Sequence, residues 1–436
     1  MMLINKSKHL TKEKQIQLGS YYTPKELVDK VCEYIQPYIL KNKENIIIFD
    51  NAAGCGAFVK GMEKYDYRVA DCDAKAYNFL NKYLDNKKVF CTNSLIDVNR
   101  KKYNIPNSSF LIMVGNPPYN DITSEFKNGQ KGKNLCDRDL FDRDLGVSFL
   151  KSYNKLRADT VCILHPLSYL IKETNFKRLK NFKNSYRLNK GIVFSSSWFS
   201  KTGSIKFPIM IGLYERNEKG MDFEYIRNFN FSILDEEDKF NLSEYETTDC
   251  FIDKYPPGKN GLKVSPIGLY YYTFRDFNSL RKNASFMIKQ HYNGIPVTVQ
   301  NFYKYAYLNA LKNLFWVDNI WLYGNLSPLI NKNMLEKNKN IYIEYAIQTN
   351  CALKNADKKI IQDITKYYGI DLDRLTDINK LENEITKQFK ELTGIKKVNT
   401  KVIYSNKISR DKQLSLALEK RAVYHNNNKK MVKNVN

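Results

Sequence analysis

Apolar residues recur along this chain with two different periods, and their alternation predicts an α/β protein. Leu27, Val28, Val31 and Ile35 fall at helical spacing and predict a helix with one face packed on a core. Its start reads as Thr23 at the N-cap, Pro24 at the first helical position and Glu26 completing a capping box. Short apolar runs follow at Ile46 to Phe49, Tyr67 to Ala70, Lys88 to Thr92, Ser109 to Gly115 (SFLIMVG) and Thr160 to His165. Their length and branching suit parallel strands buried on both faces. Leu188 to Arg216 carries two apolar runs around Trp198-Phe199-Ser200-Lys201-Thr202-Gly203, which predicts a hairpin. The expected architecture is a central, mostly parallel sheet with helices on both faces.

The pattern changes beyond about residue 218. Asp235, Glu236, Glu237, Asp238, Glu244 and Glu246 predict a solvated connection. Tyr270 to Lys312 is crowded with aromatics and bases, which suits contact with nucleobases and backbone but also an ordinary tyrosine-rich core. Ile360 to Thr393 predicts paired helices. From Lys401 the chain is strongly basic and reads as a backbone-contacting surface with a frayed tail. Residues 1–218 are therefore expected to form one domain and 219–425 a second, mixed one, with 426–436 a basic tail.

The chemistry-bearing residues sit at the ends of the predicted strands. The first strand runs into Asp50-Asn51-Ala52-Ala53-Gly54-Cys55-Gly56-Ala57-Phe58, where glycines two apart let backbone approach a ligand. The loop is neither GxGxxG nor a GK[ST] phosphate loop. The second strand ends on Asp71, a carboxylate placed to hold ribose hydroxyls, and the third leads to Asn93. The fourth delivers Asn116-Pro117-Pro118-Tyr119. Asn-Pro is a common turn initiator, yet two prolines also hold the Asn116 side chain and the Pro117 carbonyl in a stiff, extended corner. Two converging acceptors suit an exocyclic NH2, and Tyr119 supplies a face for the ring that bears it.

A formal net charge of +24 over 436 residues implies a polyanionic partner, most simply nucleic acid. Eight cysteines are scattered without a CxxC pair, which argues against a zinc ribbon and fits reduced thiols. No metal site is expected; the tandem Asp137 to Leu140 and Asp142 to Leu145 reads as a salt-laced helix start, and His165 as a satisfied residue at a strand end. With no apolar run long enough to span a bilayer and no signal peptide at Met1, the chain is read as soluble, cytoplasmic and without a membrane partner.

Tyr21-Tyr22-Thr23-Pro24 before the first helix, then DNAAGCGAF, then Asp71, then NPPY, together resemble the gamma-type DNA N6-adenine methyltransferases. These are S-adenosylmethionine-dependent enzymes of restriction–modification type, with a Rossmann-like methyltransferase domain followed by a target-recognition domain. The resemblance covers roughly the first half of the chain. The family loop DPACGSGxF keeps its aspartate, both glycines, its first alanine and its phenylalanine here; Asn51, Ala53 and Cys55 depart from it, as does Asn93 where an aspartate is common. The resemblance implies that Tyr21, Thr23 and Pro24 line the methionine end of S-adenosyl-L-methionine, that Asp50, Ala52, Gly54 and Gly56 line its middle, that Asp71 holds its ribose, and that Phe58 and Asn93 lie near its adenine. It implies Asn116, Pro117, Pro118 and Tyr119 as the catalytic set, with Phe199 as a second aromatic against the target base and Trp198 or Phe207 as alternatives. Double-stranded DNA is the implied partner of a monomeric enzyme, with a separate cognate restriction endonuclease as a further one.

The implied reaction is direct methyl transfer to a flipped adenine. Cytosine carbon-5 chemistry needs a cysteine nucleophile, usually after proline, and no Pro-Cys dipeptide occurs. N4-cytosine methylation, methylation of RNA or of a protein glutamine, and a catalytically idle DNA-binding subunit are the competing readings. No PD…ExK arrangement points to a fused nuclease.

Overall fold

The computed structural model describes residues 23–42, 44–59, 62, 64–119, 136–199, 207–237, 239–247, 251–253, 264–273, 285–314 and 329–391. Tyr21, the basic loop after Tyr119, the Tyr255 to Lys259 stretch and the basic tail lie outside the described residues.

Helix α1 (Lys25–Lys41) is followed by β1 (Ile46–Asp50), β2 (Tyr67–Asp71), α2 (Ala74–Tyr83), β3 (Val89–Cys91), β4 (Phe110–Gly115), α3 (Leu145–Lys155) and β5 (Thr160–Pro166). Three short helices between Ser168 and Ser185 lead to β6 (Tyr186–Ser195), β7 (Pro208–Arg216), β8 (Phe231–Ile233) and β9 (Lys239–Phe240). All nine strands form one sheet in the order β3-β2-β1-β4-β5-β7-β6-β8-β9. β1 lies parallel to both β2 and β4, with Ile48 opposite Tyr67 on one side and Ile112 on the other. β5 runs parallel to β4, and β7 is antiparallel to both β5 and β6. The sheet continues past residue 218 through β8, which pairs parallel with β6.

The apolar runs explain this arrangement. β1 is buried at every position, IIIFD, because helices cover both of its faces. On one face Leu27, Val31 and Ile35 of α1 pack with Ile46, Ile48, Ile112, Val114, Cys162 and Leu164, each fully buried aliphatic side chain stabilising by about 1.5–3 kcal/mol. On the other, Phe49 meets Tyr103 at 4.6 Å between ring centroids. The chain winds outward from β1 to β3 and then returns across β1 to β4. The reversal opens a crevice at the carboxyl ends of β1 and β4, where doubly wound sheets bind ligands.

In the second half, α4 (Phe302–Asn313), α5 (Lys339–Thr349), α6 (Lys358–Tyr368) and α7 (Ile378–Glu391) accompany a three-stranded sheet of Tyr270–Tyr272, Phe286–Met287 and Gly294–Pro296. The paired helices expected from residue 360 are α6 and α7. Tyr307 lies 5.1 Å from Tyr342 and 5.8 Å from Phe389, and the Tyr342 hydroxyl donates to Gln388 Oε1 at 2.7 Å. Tyr271, Tyr305, Phe286 and Phe302 are likewise buried. These aromatics of the basic stretch build a core; Tyr292, 72 % exposed, is the exception.

Candidate active site

The corner begins at Gly115, the last residue of β4. Its φ of +150° is one that side-chain-bearing residues rarely adopt, and a Cβ there would stand 2.9 Å from Asp50 Oδ1. Glycine thus lets the carboxyl end of β1 lie directly against the corner. The half-buried Asn116 follows, and its Nδ2 donates to Thr23 Oγ1 at 3.3 Å. Thr23 is not the N-cap expected of it. Pro24 occupies that position with no side-chain cap, because the Thr23 hydroxyl is turned to Asn116 instead. The contact directs the amide nitrogen toward α1 and leaves Oδ1 as the end that accepts. In this structure Oδ1 accepts from the Tyr119 hydroxyl, which also lies 3.2 Å from the Leu164 carbonyl oxygen.

The glycine loop is pinned on β2. Ala53 N donates to Ala70 O at 3.0 Å, Gly54 N to Asp71 Oδ2 at 2.8 Å and Asp73 N to Asp71 Oδ1 at 2.8 Å. Gly56, at φ +74°, would drive a Cβ to 2.7 Å from Leu80 Cδ2, whereas Gly54, at φ +54°, has nothing within 4 Å of that position. Gly56 is needed for packing and Gly54 opens onto free space.

Asp50 is 1 % exposed. Its Oδ1 accepts from Ala52 N at 3.1 Å, and its Oδ2 has no partner. Burial pushes its pKa up to about 7, with the Asp71 charge adding and the Ala52 N–H opposing. Asn51, 2 % exposed, has no partner for either its amide nitrogen or its oxygen. Asn93 Oδ1 accepts locally from Leu95 N at 2.9 Å. Phe58 is 2 % exposed and packs in the core with α1.

Phe199 is also in that core, 1 % exposed and 6.1 Å from Phe194. Trp198 and Phe207 are the half-buried rings beside it, packed on the same cluster as Tyr119. His165 is satisfied as expected: Nδ1 lies 2.9 Å from Pro166 O and Nε2 2.7 Å from Tyr214 Oη, and burial lowers its pKa to about 4. The DRDL tandem is a salt-laced helix start. Asp144 caps α3 through Gly146 N, Asp142 pairs with Lys151 at 3.1 Å and with Arg178, and Lys155 pairs with Asp137 and Asp139. Among the described residues no group of three or more His, Cys, Asp or Glu could hold a metal ion, and no helix is long and apolar enough to cross a membrane.

Sequence reasoning missed Gly115 and Asn51 as functional positions. The first was signalled by a glycine ending an otherwise β-branched strand, the second by an amide where the resembled loop has proline. A cleft of about 950 Å³ lies at the opposite, amino ends of the strands, lined by Asn45, Arg100, Phe110, Asp159 and Arg216 among others. Its central guanidinium is committed to structure, with Arg100 donating to the carbonyls of Leu156, Pro106, Asn107, Ser109 and Arg157. We therefore place the site at the carboxyl ends.

Fold and site together define a doubly wound, Rossmann-like α/β protein with a ligand crevice where the strand order reverses. No family model matches the chain, and no curated protein does. Among solved structures, the chain is similar to the M protein of the type I restriction enzyme EcoKI, at 9 % identity over 86 % of this chain and 73 % of that one, with a TM-score of 0.37. PH1948 from Pyrococcus horikoshii, named as a candidate RNA methyltransferase, is 15 % identical over 49 % of this chain and 95 % of its own, with a TM-score of 0.31. The E. cuniculi Mtq2–Trm112 complex, responsible for methylation of the eRF1 translation termination factor, aligns at 13 % identity over 45 % of this chain and 99 % of that one, with a TM-score of 0.28.

Proposed function

We propose that this protein is an S-adenosylmethionine-dependent methyltransferase that modifies the N6 amino group of adenine in double-stranded DNA. The observation that carries the reading is Asn116, oriented by Thr23 and set beside Asp50 at the strand-order reversal. The crevice suits the methyl donor: it offers the carboxylates Asp50 and Asp71 to a cationic, ribose-bearing molecule, open space at Gly54, and an unpartnered acceptor in Asp50 Oδ2. Bound there, S-adenosylmethionine supplies an electrophilic methyl group.

The chain's own residues make the amino group reactive. Its lone pair is delocalised into the adenine ring, so it is a poor nucleophile. Acceptance of its two hydrogens by Asn116 Oδ1 and the Pro117 carbonyl favours a pyramidal nitrogen with a localised lone pair. For that to happen the Tyr119 hydroxyl gives up Asn116 Oδ1, and the Leu164 carbonyl keeps the hydroxyl satisfied. The Tyr119 ring then stacks on the base and offsets lost duplex stacking by roughly 1–3 kcal/mol. Residues 219–425 act as the target-recognition region, in keeping with the net charge of +24.

The test is to incubate the purified protein with labelled S-adenosylmethionine and unmethylated DNA, then digest and identify the modified nucleoside by mass. N6-methyladenine is expected. N4-methylcytosine would keep the site and change the base, and label found in RNA or protein with none in DNA would overturn the DNA assignment.

A further inference from the structure

Among the described residues, Asn51 is the one side chain with both a donor and an acceptor buried and unpartnered. Leaving a buried amide unsatisfied costs about 1–3 kcal/mol per group, so native chains keep such groups where a ligand completes them. Asn51 follows Asp50, which lies against Gly115, and precedes the loop whose Gly54 N donates to Asp71. Residues 50 to 54 therefore bridge the end of β4, where the NH2 acceptors are, to the end of β2, where the ribose carboxylate is.

A sulfonium donor has three arms: the methyl, the ribose and an α-amino acid. On the proposed reading the methyl faces Asn116 and the ribose faces Asp71, so the amino-acid arm must find its own polar partners. That arm is a zwitterion, needing acceptors for its ammonium and a donor for its carboxylate. An amide supplies one of each. We infer that Asn51, where the resembled loop has proline, binds the amino-acid end of the methyl donor, its Oδ1 accepting from the ammonium and its Nδ2 donating to the carboxylate, with Asp50 Oδ2 as a second acceptor. The inference rests on S-adenosylmethionine being the ligand. It makes Asn51 a binding residue whose polarity destabilises the empty protein and is satisfied only in the complex.

Titration calorimetry of the full chain separates the arms. Three probes are used: S-adenosylmethionine, S-adenosylhomocysteine, and 5′-methylthioadenosine, which keeps adenine, ribose and thioether but lacks the amino acid. Asn51→Leu and Asn51→Ala should bind the first two roughly ten- to a hundredfold more weakly, bind methylthioadenosine as the wild type does, and melt no lower than wild type without ligand. An equal loss for all three probes, or no loss for the first two, would overturn the inference while leaving the cofactor assignment intact. A wild-type chain that binds none of them would overturn both.

Discussion

The hydroxyl oxygen of Thr23 and the amide nitrogen of Asn116 meet at 3.3 Å across 93 residues of chain. The bond joins the residue before α1 to the residue after β4 and decides which way the Asn116 amide faces. Thr23→Val keeps the shape and removes the acceptor. A neutral hydrogen bond of about 1 kcal/mol translates into a rate loss of roughly fivefold, read as kcat under saturating donor, with the melting temperature nearly unchanged. Asn116→Ala should abolish transfer while donor affinity stays close to wild type; near-native turnover would refute the assignment of Asn116.

Tyr119 has two separable roles. Tyr119→Phe keeps the ring and removes the hydroxyl that occupies Asn116 Oδ1, so transfer should stay within about threefold of wild type. Tyr119→Ala loses stacking worth roughly 1–3 kcal/mol. Fluorescence of 2-aminopurine at the target position would rise on binding to the phenylalanine variant and much less on binding to the alanine variant.

Asp71 holds two backbone N–H groups, one on each carboxylate oxygen. Asp71→Asn leaves one oxygen and so releases either the glycine loop or the Asp73 turn. Donor affinity measured by calorimetry should fall about tenfold or more, with a smaller effect on the melting temperature.

The buried Asp50 predicts a pH dependence with a definite sign. Its folded pKa, about 7, lies above the ordinary 3.8. The unfolded chain therefore ionises first, and the stability this carboxyl contributes is fully present below about pH 4 and lost as pH rises through about 7. The melting temperature of wild type relative to Asp50→Asn should fall across that window and level off above it. Asp144, pushed up to about 6 by burial, titrates in both proteins and cancels in the comparison. Cationic donor binding should also release a proton near pH 7, visible as a heat that varies with buffer.

Gly115→Ala places a methyl 2.9 Å from Asp50 Oδ1 at φ +150°. The expected loss is on the order of 1–3 kcal/mol, several degrees in melting temperature, accompanied by weaker donor binding because Asp50 must move.

Much of this was legible in the sequence, for definite reasons. The runs Ile46 to Phe49 and Ser109 to Gly115 have no polar alternation, so strands buried on both faces were the natural reading, and the ends of those strands carried the distinctive residues. What could not be read were contacts set by register between distant segments. Thr23 satisfies every local rule for an N-cap, and a tertiary partner overrides them. Phe199 and Phe58 looked like candidates for ring contacts because composition does not tell a core aromatic from one facing a ligand. The tyrosines of α4 and α5 illustrate the same ambiguity, with Tyr307 and Tyr342 building a core where a nucleic-acid surface was also compatible. Asn93 Oδ1 is spent on an adjacent N–H, a local turn that the residue type permits but does not announce.

The central position of β1 has a consequence for how the chain acquires its site during synthesis. Ile46 pairs with Phe110 on one side and Ile48 with Tyr67 on the other, so the strand bearing Asp50 is set only after β4 has emerged and docked. Contacts this far apart in sequence form late and slowly. A chain arrested before residue 116 contains α1, the glycine loop and Asp71 but no acceptor corner, and a chain that loses β4 loses both halves of the crevice at once. Ligand capture is thus a property of the completed sheet, and binding should protect the whole first half of the protein against unfolding.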